Sequence, residues 1–400
     1  MKVVQINSTC GAGSTGKICV AVSRLLTQAG VENYILYTLG NSSYDKGRKY
    51  SDNKYIMLQA AKARIFGNCG FNSKRATRRL IASLESIKPH IIHIHNIHSH
   101  DCDLEMLFRY LKTQKVKLFW TFHDCWSFTG YCHYFTMADC SRWENGCGNC
   151  PSRSRHSLLI DRSAELFGKK KELFAGLDMT VITPSAWLGE LAGRSFFGNY
   201  PIKVINNGID LSVFRPRERD MRAVLGVEDK FLIMGCSFDW DRRKGIDVFA
   251  SLAQRLGDGF AIVLVGTNEG LDKSLPENII SIHRTADQEE LSRIYSAADL
   301  FVNPTREENY PTVNMEALAC GTPVLTFNTG GSAEMLGKDC GLAVERGDVD
   351  ALEREIRRIE REAPFSREAC RAHAESFDMN KRFKEYVDLY LKGEEGEVNE

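Results

Sequence analysis

Residues 305–325, TREENYPTVNMEALACGTPVL, decide the reading of this chain. An apolar run at 299–303 (DLFVN) precedes them and stops at Pro304, as a buried strand does. Apolar residues Val313, Ala317 and Leu318 then mark one face of a helix that ends at Cys320-Gly321, and a second strand follows at 323–326. A strand–loop–helix unit of this kind aims backbone N–H groups and the positive end of the helix dipole at whatever lies above the sheet. Two carboxylates stand there, Glu308 at the mouth of the loop and Glu316 on the helix. A ligand carrying both phosphates and hydroxyls would reconcile them: amides take the phosphates and carboxylates accept from the hydroxyls. The plainer alternative makes Glu308 a solvated loop residue and Glu316 an ordinary helix acid.

The alternation of strand and helix continues on both sides. Strands are expected at 231–235, 260–265 and 279–282, with helices from Gly245 to about 256 and at 287–297. Upstream, strands are expected at 2–7, 31–38, 90–95, 116–122, 178–183 and 202–205, with helices between most of them, including 55–66, 73–87, 103–112 and 161–175. This pattern predicts an α/β protein of two doubly wound, Rossmann-like parallel sheets. The expected division is 1–205 for the first domain, with a Cys-rich loop at 125–156, and 206–376 for the second. A last helix at 377–392, with a stripe of Phe383, Val387 and Leu391, packs back on the first domain, and 393–400 is an acidic, disordered tail. Residues 41–75 read as polar and irregular apart from the 55–66 helix. The charged, Pro-bearing segment 210–225 reads as a domain connection, and 352–361 and 367–376 as charged surface helices.

Four hundred residues suit two domains, and the balance of 43% hydrophobic and 26% charged residues is that of a soluble protein. No apolar run reaches the length of a membrane span, and the N-terminal apolar stretch is too short for a signal peptide. A cytoplasmic location follows as an expectation, with the thirteen cysteines reduced. Residues 1–210 carry a net charge of +11 and the remainder −11. The basic half, including the amphipathic 73–87 helix with Lys74, Arg75, Arg78 and Arg79, could face an anionic membrane surface or a lipid phosphate. A solvated basic face is the alternative. No nucleic-acid partner is expected.

In doubly wound sheets the ligand crevice lies outside the carboxyl ends of the strands. His95 and His123 fall there in the first domain. So does the turn Gly11-x4-Gly16-Lys17, whose Gly13 and Ser14 would let a ligand approach the backbone. That turn nearly spells a phosphate-binding P-loop, but Ile18 occupies the position of the Mg²⁺-ligating Ser or Thr. In the second domain the loop after 231–235 carries Arg242, Arg243 and Lys244, so one crevice would hold Arg243, Lys244, Glu308 and Glu316. The pairs Asp101/Asp103 and Asp239/Asp241 invite a metal reading; the first looks like a helix cap, and the second sits beside cations that neutralise phosphate without metal. Cys132, Cys140, Cys147 and Cys150 offer a four-thiolate structural zinc site, with free or occasionally paired thiols as the alternative.

Several blocks spread over nearly the whole chain resemble the retaining family 4 glycosyltransferases of the GT-B fold, in which two Rossmann-like domains face each other across a cleft. They are TFHD at 121–124, ITPSAWL at 182–188, INNGIDLSVF at 205–214, RKG at 243–245, ELSRIYSAADLFVNPT at 290–305, ENYPTVNMEALACGTPV at 308–324 and TGGSAE at 329–334. The pattern is similar to bacterial enzymes of capsule, exopolysaccharide and lipopolysaccharide synthesis. The resemblance implies a UDP- or GDP-linked sugar donor, a glycan or polyprenyl-linked acceptor, and transfer without a catalytic cofactor or metal. It implies that Glu316 bonds the ribose hydroxyls, Glu308 contacts the donor sugar, Arg243 and Lys244 neutralise the diphosphate, and His123 touches the sugar near the reacting carbon. Two departures stand out. Asp239 occupies the place of the family's arginine upstream of the RKG lysine, and Pro311, lacking an N–H, leaves Thr312 and Val313 to supply the amides. The competing readings are a P-loop-like nucleotide hydrolase, a zinc-stapled binding protein without catalysis, and a GT-B-fold nucleotide-sugar epimerase, which would lack this Glu pair.

Overall fold

A computed structural model of the chain describes the backbone of residues 1–395 and the side chains of residues 1–392, so the acidic tail expected at 393–400 lies outside the residues described in full. The described residues form two compact units, residues 1–206 with 380–395, and residues 207–379.

The first unit is built on a seven-stranded, wholly parallel sheet. Its strands are β1 (Lys2–Ile6), β2 (Glu32–Tyr37), β3 (Gly47–Lys49), β4 (Ile91–Ile94), β5 (Lys117–Thr121), β6 (Met179–Thr183) and β7 (Ile202–Val204), in the order β3-β2-β1-β4-β5-β6-β7. Val4, Ile6, Ile92, Ile94, Leu118 and Trp120 are buried because helices cover both faces, as parallel strands require. β3 lies inside the stretch expected to be irregular; three residues of Gly, Arg and Lys carry no apolar period, and parallel pairing with β2 alone makes them a strand.

The helix Met379–Glu395 buries Phe383, Tyr386, Val387 and Tyr390, while Leu391 is 39% exposed, so the expected stripe is shifted by one position toward the two tyrosines. Tyr390 hydroxyl bonds His93 Nδ1, and Tyr386 lies 5.4 Å from the same ring. Amphipathic tyrosines can be buried this way when the phenol finds a partner.

The second unit has six parallel strands: β8 (Phe231–Cys236), β9 (Phe260–Val265), β10 (Ile279–Ile282), β11 (Leu300–Asn303), β12 (Val324–Asn328) and β13 (Gly341–Glu345), in the order β10-β9-β8-β11-β12-β13. The segment expected to be a connection, 210–225, is part of this unit. Phe214 and Met221 enter its core, and Arg222 donates to Asp299 at 2.9 Å. In each sheet the order reverses once, between β1 and β4 and between β8 and β11, which places a ligand crevice at the carboxyl ends of those strands.

Candidate active site

At the switch point of the second unit, β8 and β11 lie side by side, with Leu300 opposite Ile233 and Phe301 opposite Met234. The loops leaving their carboxyl ends are sewn together. Gly245 has φ +79°, and a Cβ there would sit 2.5 Å from the Pro304 carbonyl, so only glycine admits this approach. Arg306 N–H donates to the Arg243 carbonyl at 2.8 Å, and its guanidinium takes both Asp247 oxygens at 2.8 Å. The result brings Lys244 Nζ to 2.5 Å from Glu308 Oε2, while Arg243 donates to the Glu307 carbonyl at 3.4 Å. Burial pushes the Glu308 carboxyl up, but the Lys244 ammonium and the Asn309 N–H outweigh it and hold the group below its ordinary value.

The helix Thr312–Ala319 begins at Pro311, whose extended backbone (ψ 117°) and missing N–H suit an entry position but provide no side-chain cap. Thr312 and Val313, both half-buried, form its first turn. One turn on, Glu316 accepts from the Tyr295 hydroxyl at 3.1 Å. Cys236, at the end of β8, feels both groups: burial first, then the Glu316 carboxylate, push its thiol up to about 12, and the Tyr295 hydroxyl and Lys244 oppose them. Of the residues expected in this crevice, Lys244 and Glu308 are therefore in direct contact, Arg243 is one residue removed at Glu307, and Glu316 is held by Tyr295.

Sequence reasoning assigned no role to the turn 329–331. Gly330 has φ +56°, and a Cβ there would lie 1.8 Å from the Glu308 carbonyl oxygen; Gly331 N–H donates to the Asn309 carbonyl at 2.7 Å. This turn fixes the backbone beneath Glu308, and the glycine pair within TGGSAE was its only signal.

In the first unit, Gly13 and Ser14 are exposed and open the helix Gly13–Gln28, so they are the first residues of a helix rather than part of a free turn. That end has no side-chain cap, and Gly11 N–H closes onto the Gly16 carbonyl at 3.0 Å. Lys17 is exposed on the same helix. His123 belongs to a chain of hydrogen bonds. Gln5 Nε2 donates to the Cys19 carbonyl at 3.0 Å, which leaves Gln5 Oε1 to accept from His95 Nε2 at 3.2 Å. His95 Nδ1 must then accept, and its partner at 3.1 Å is His123 Nε2. The arrangement makes His123 Nε2 the proton-bearing nitrogen. Burial lowers its pKa to about 4 against the pull of Asp124, and burial likewise keeps His93 and His95 neutral.

Cys132, Cys140, Cys147 and Cys150 line one cavity of about 20 Å³. Cys147 Sγ accepts from Gly130 N–H at 3.2 Å, and Cys150 is brought down to about 7 by a hydrogen bond from Cys132. Among the described residues, the set of three ligating side chains whose donor atoms converge within 4.8 Å is a different one, His98, Asp124 and His133. Lys170 is fully buried nearby, donating to the Trp126 and Thr129 carbonyls at 2.7 and 3.0 Å, and burial lowers it to about 7.

Comparison with known proteins gives this architecture a class. Residues 16–213 match the family model described as Glycosyltransferase Family 4, and residues 229–362 the model described as Glycosyl transferases group 1. A protein of Escherichia coli K12 named as a candidate colanic acid biosynthesis glycosyl transferase, WcaC, is 24% identical over 371 residues, covering 87% of this chain and 88% of its own. Among solved structures, sucrose-phosphate synthase of Thermosynechococcus elongatus superposes with a TM-score of 0.73 at 19% identity over 98% of each chain. HepE of Anabaena, in complex with UDP, has a TM-score of 0.69 at 14% identity, over 98% of this chain and 100% of its own. Two parallel Rossmann-like units with these neighbours define a GT-B glycosyltransferase. The chain belongs to the group 1, family 4 glycosyltransferases.

Proposed function

We propose that the enzyme transfers a hexose-type sugar, with retention and without a catalytic metal, from a nucleotide-diphosphate sugar to a glycan or polyprenyl-linked acceptor of a surface polysaccharide. The observation that carries this reading is the Lys244–Glu308 contact beside the uncapped helix that bears Glu316. Arg243 and Lys244 would neutralise the diphosphate, the Thr312 and Val313 amides would receive a phosphate oxygen, and Glu316 would accept from the ribose hydroxyls. Glu308 meets the sugar hydroxyls, His123 keeps the donor-facing role that the family resemblance gives it, and Gly13 and Ser14 keep the ligand-facing role read from their Gly-rich turn. The bond from the anomeric carbon to the diphosphate oxygen breaks, and the acceptor hydroxyl attacks from the same face. Its proton passes to the departing phosphate oxygen. A neutral His123 suits a contact to a sugar hydroxyl. HepE is similar in fold and binds UDP and UDP-glucose, which supports a nucleotide-sugar donor.

The surface of the first unit supports a peripheral membrane contact. Met57, Leu58, Ile65 and Phe66 are exposed on the helix Asn53–Phe66, and Leu158, Leu159 and Ile160 are exposed beside its end, where Leu158 N–H donates to the Arg64 carbonyl at 2.8 Å. Exposed Lys54, Lys62 and Arg155 share these segments, and the helix carrying Arg75, Arg78 and Arg79 is joined at Tyr55. Apolar side chains rimmed by cations fit an anionic lipid surface. Among the described residues, no helix is long and apolar enough to cross a membrane.

Thermal shifts against UDP, GDP and their common sugars, in chelator, test the donor reading. Stabilisation by one nucleotide series, lost in Glu316→Ala, is expected. No stabilisation by any of them, or full transfer activity in Glu316→Ala, would overturn it.

A further inference from the structure

We propose that His98, Asp124 and His133 form a binding site for a divalent transition-metal ion of the zinc class, separate from the four cysteines. The three side chains come from three different loops, after β4, after β5 and within the Cys-rich segment. His98 Nε2 and His133 Nδ1 each lie 3.0 Å from the same atom, Asp124 Oδ2, and the three donor atoms fall within 4.8 Å of one another. In a tetrahedral zinc site with bonds of 2.0–2.1 Å, neighbouring donors stand about 3.3 Å apart, so an ion fits with little movement.

Two details separate this cluster from an ordinary hydrogen-bonded triad. His98 Nε2 is buried against the same Oδ2 that His133 Nδ1 bonds, so two imidazole nitrogens crowd one carboxylate oxygen. An ion between the three would take a lone pair from each nitrogen. The carboxylate is also pre-oriented: Asp124 Oδ1 accepts from Trp126 N–H at 2.9 Å, which turns Oδ2 toward the two imidazoles, and the ion would replace the bond that Oδ2 shares with His133 Nδ1. Backbone bonding fixes the third ligand, since Cys125 N–H donates to the His133 carbonyl at 2.8 Å. Ligands oriented by a second layer of hydrogen bonds are what a metal site needs.

Two imidazoles and one carboxylate select zinc, cobalt, iron or manganese over calcium or magnesium. Three protein ligands leave a coordination position for water or for an oxygen of a bound molecule. The ion would clamp three loops at the carboxyl edge of the sheet, next to His123, and is not required to touch the donor.

Metal content and the spectrum of bound cobalt test this on untagged, full-length protein dialysed against Zn²⁺ or Co²⁺. One equivalent of zinc should vanish on His98→Ala and on His133→Ala. In Cys147→Ser/Cys150→Ser, Co²⁺ should give weak visible bands without sulfur charge-transfer absorption, and these should disappear when His133→Gln is added. Should the alanine variants fail to fold, the cobalt spectrum of the unaltered protein decides: a nitrogen- and oxygen-ligated component supports the site. Equal zinc content with and without the two histidines, or cobalt bands of sulfur character alone, would overturn the proposal.

Discussion

The Lys244 ammonium and the Glu308 carboxylate stand 2.5 Å apart, with only 21% and 15% of their side chains exposed. A diphosphate arriving at this point must compete with Glu308 for Lys244. The proposed donor grip is thus already charge-balanced before a donor arrives, and binding exchanges one anion for another.

Removing the cation should be worse than removing the pair. Lys244→Ala leaves a buried carboxylate uncompensated and should cost about 3 kcal/mol, whereas Lys244→Met/Glu308→Gln should cost less. Denaturant melts of the three proteins measure this, and equal losses would refute the coupling.

The same pair sets a pH dependence. Glu308 titrates below its ordinary value in the folded protein, so its stabilisation is present above the unfolded value of about 4.3 and is lost as pH falls through the folded one. The stability difference between wild type and Glu308→Gln should shrink on acidification through that window. A difference that stays constant from neutral pH to pH 3 contradicts this.

The first unit has its own acid sensitivity. His93, His95 and His123 are held neutral by burial, His123 down to about 4. Below the unfolded value of about 6.5 the unfolded chain binds protons that the folded one refuses, so stability falls with pH by on the order of 1 kcal/mol per unit for each histidine. Tyr390→Phe, which takes the phenol from His93, should lower stability by about 1–2 kcal/mol at neutral pH. Melts followed from pH 7.5 to 5 check both.

Gly330→Ala should damage donor binding at a distance. Its Cβ would meet the Glu308 carbonyl at 1.8 Å, and the left-handed backbone alone costs about 1–2 kcal/mol. Weaker nucleotide-sugar binding, with a smaller effect from Gly347→Ala in open surroundings, is the expected outcome of isothermal titration.

Much of this was legible in the sequence, for identifiable reasons. β11 and β12 announced themselves as short apolar runs, and the Thr312–Ala319 helix between them by its Pro311 entry and its Cys320-Gly321 end. β3 and β13 did not: the first is polar, and the second is strand-like only once paired with β12. The cation loop could be placed near Glu308 by topology, but not the stitch from Arg306 to Asp247, which joins residues 59 apart in sequence. His98, Asp124 and His133 had no sequence signal as a set, since their spacing fits no metal motif and only the fold brings three loops to one point. Residues 210–225 looked like a linker because charge dominates their composition, although Phe214 and Met221 anchor them.

The two passages of chain that bound the second unit are paired to each other. Ile209 N–H donates to the Phe377 carbonyl at 2.8 Å, Met379 N–H donates to the Ile209 carbonyl at 3.0 Å, and Gly208 is pressed so closely on Met379 that a Cβ would come within 2.6 Å of its Cα. A segment whose ends already meet behaves as a cassette. Residues 207–379 could be lifted out or exchanged at two neighbouring splice points, and the proposed donor grip would travel with them as one module.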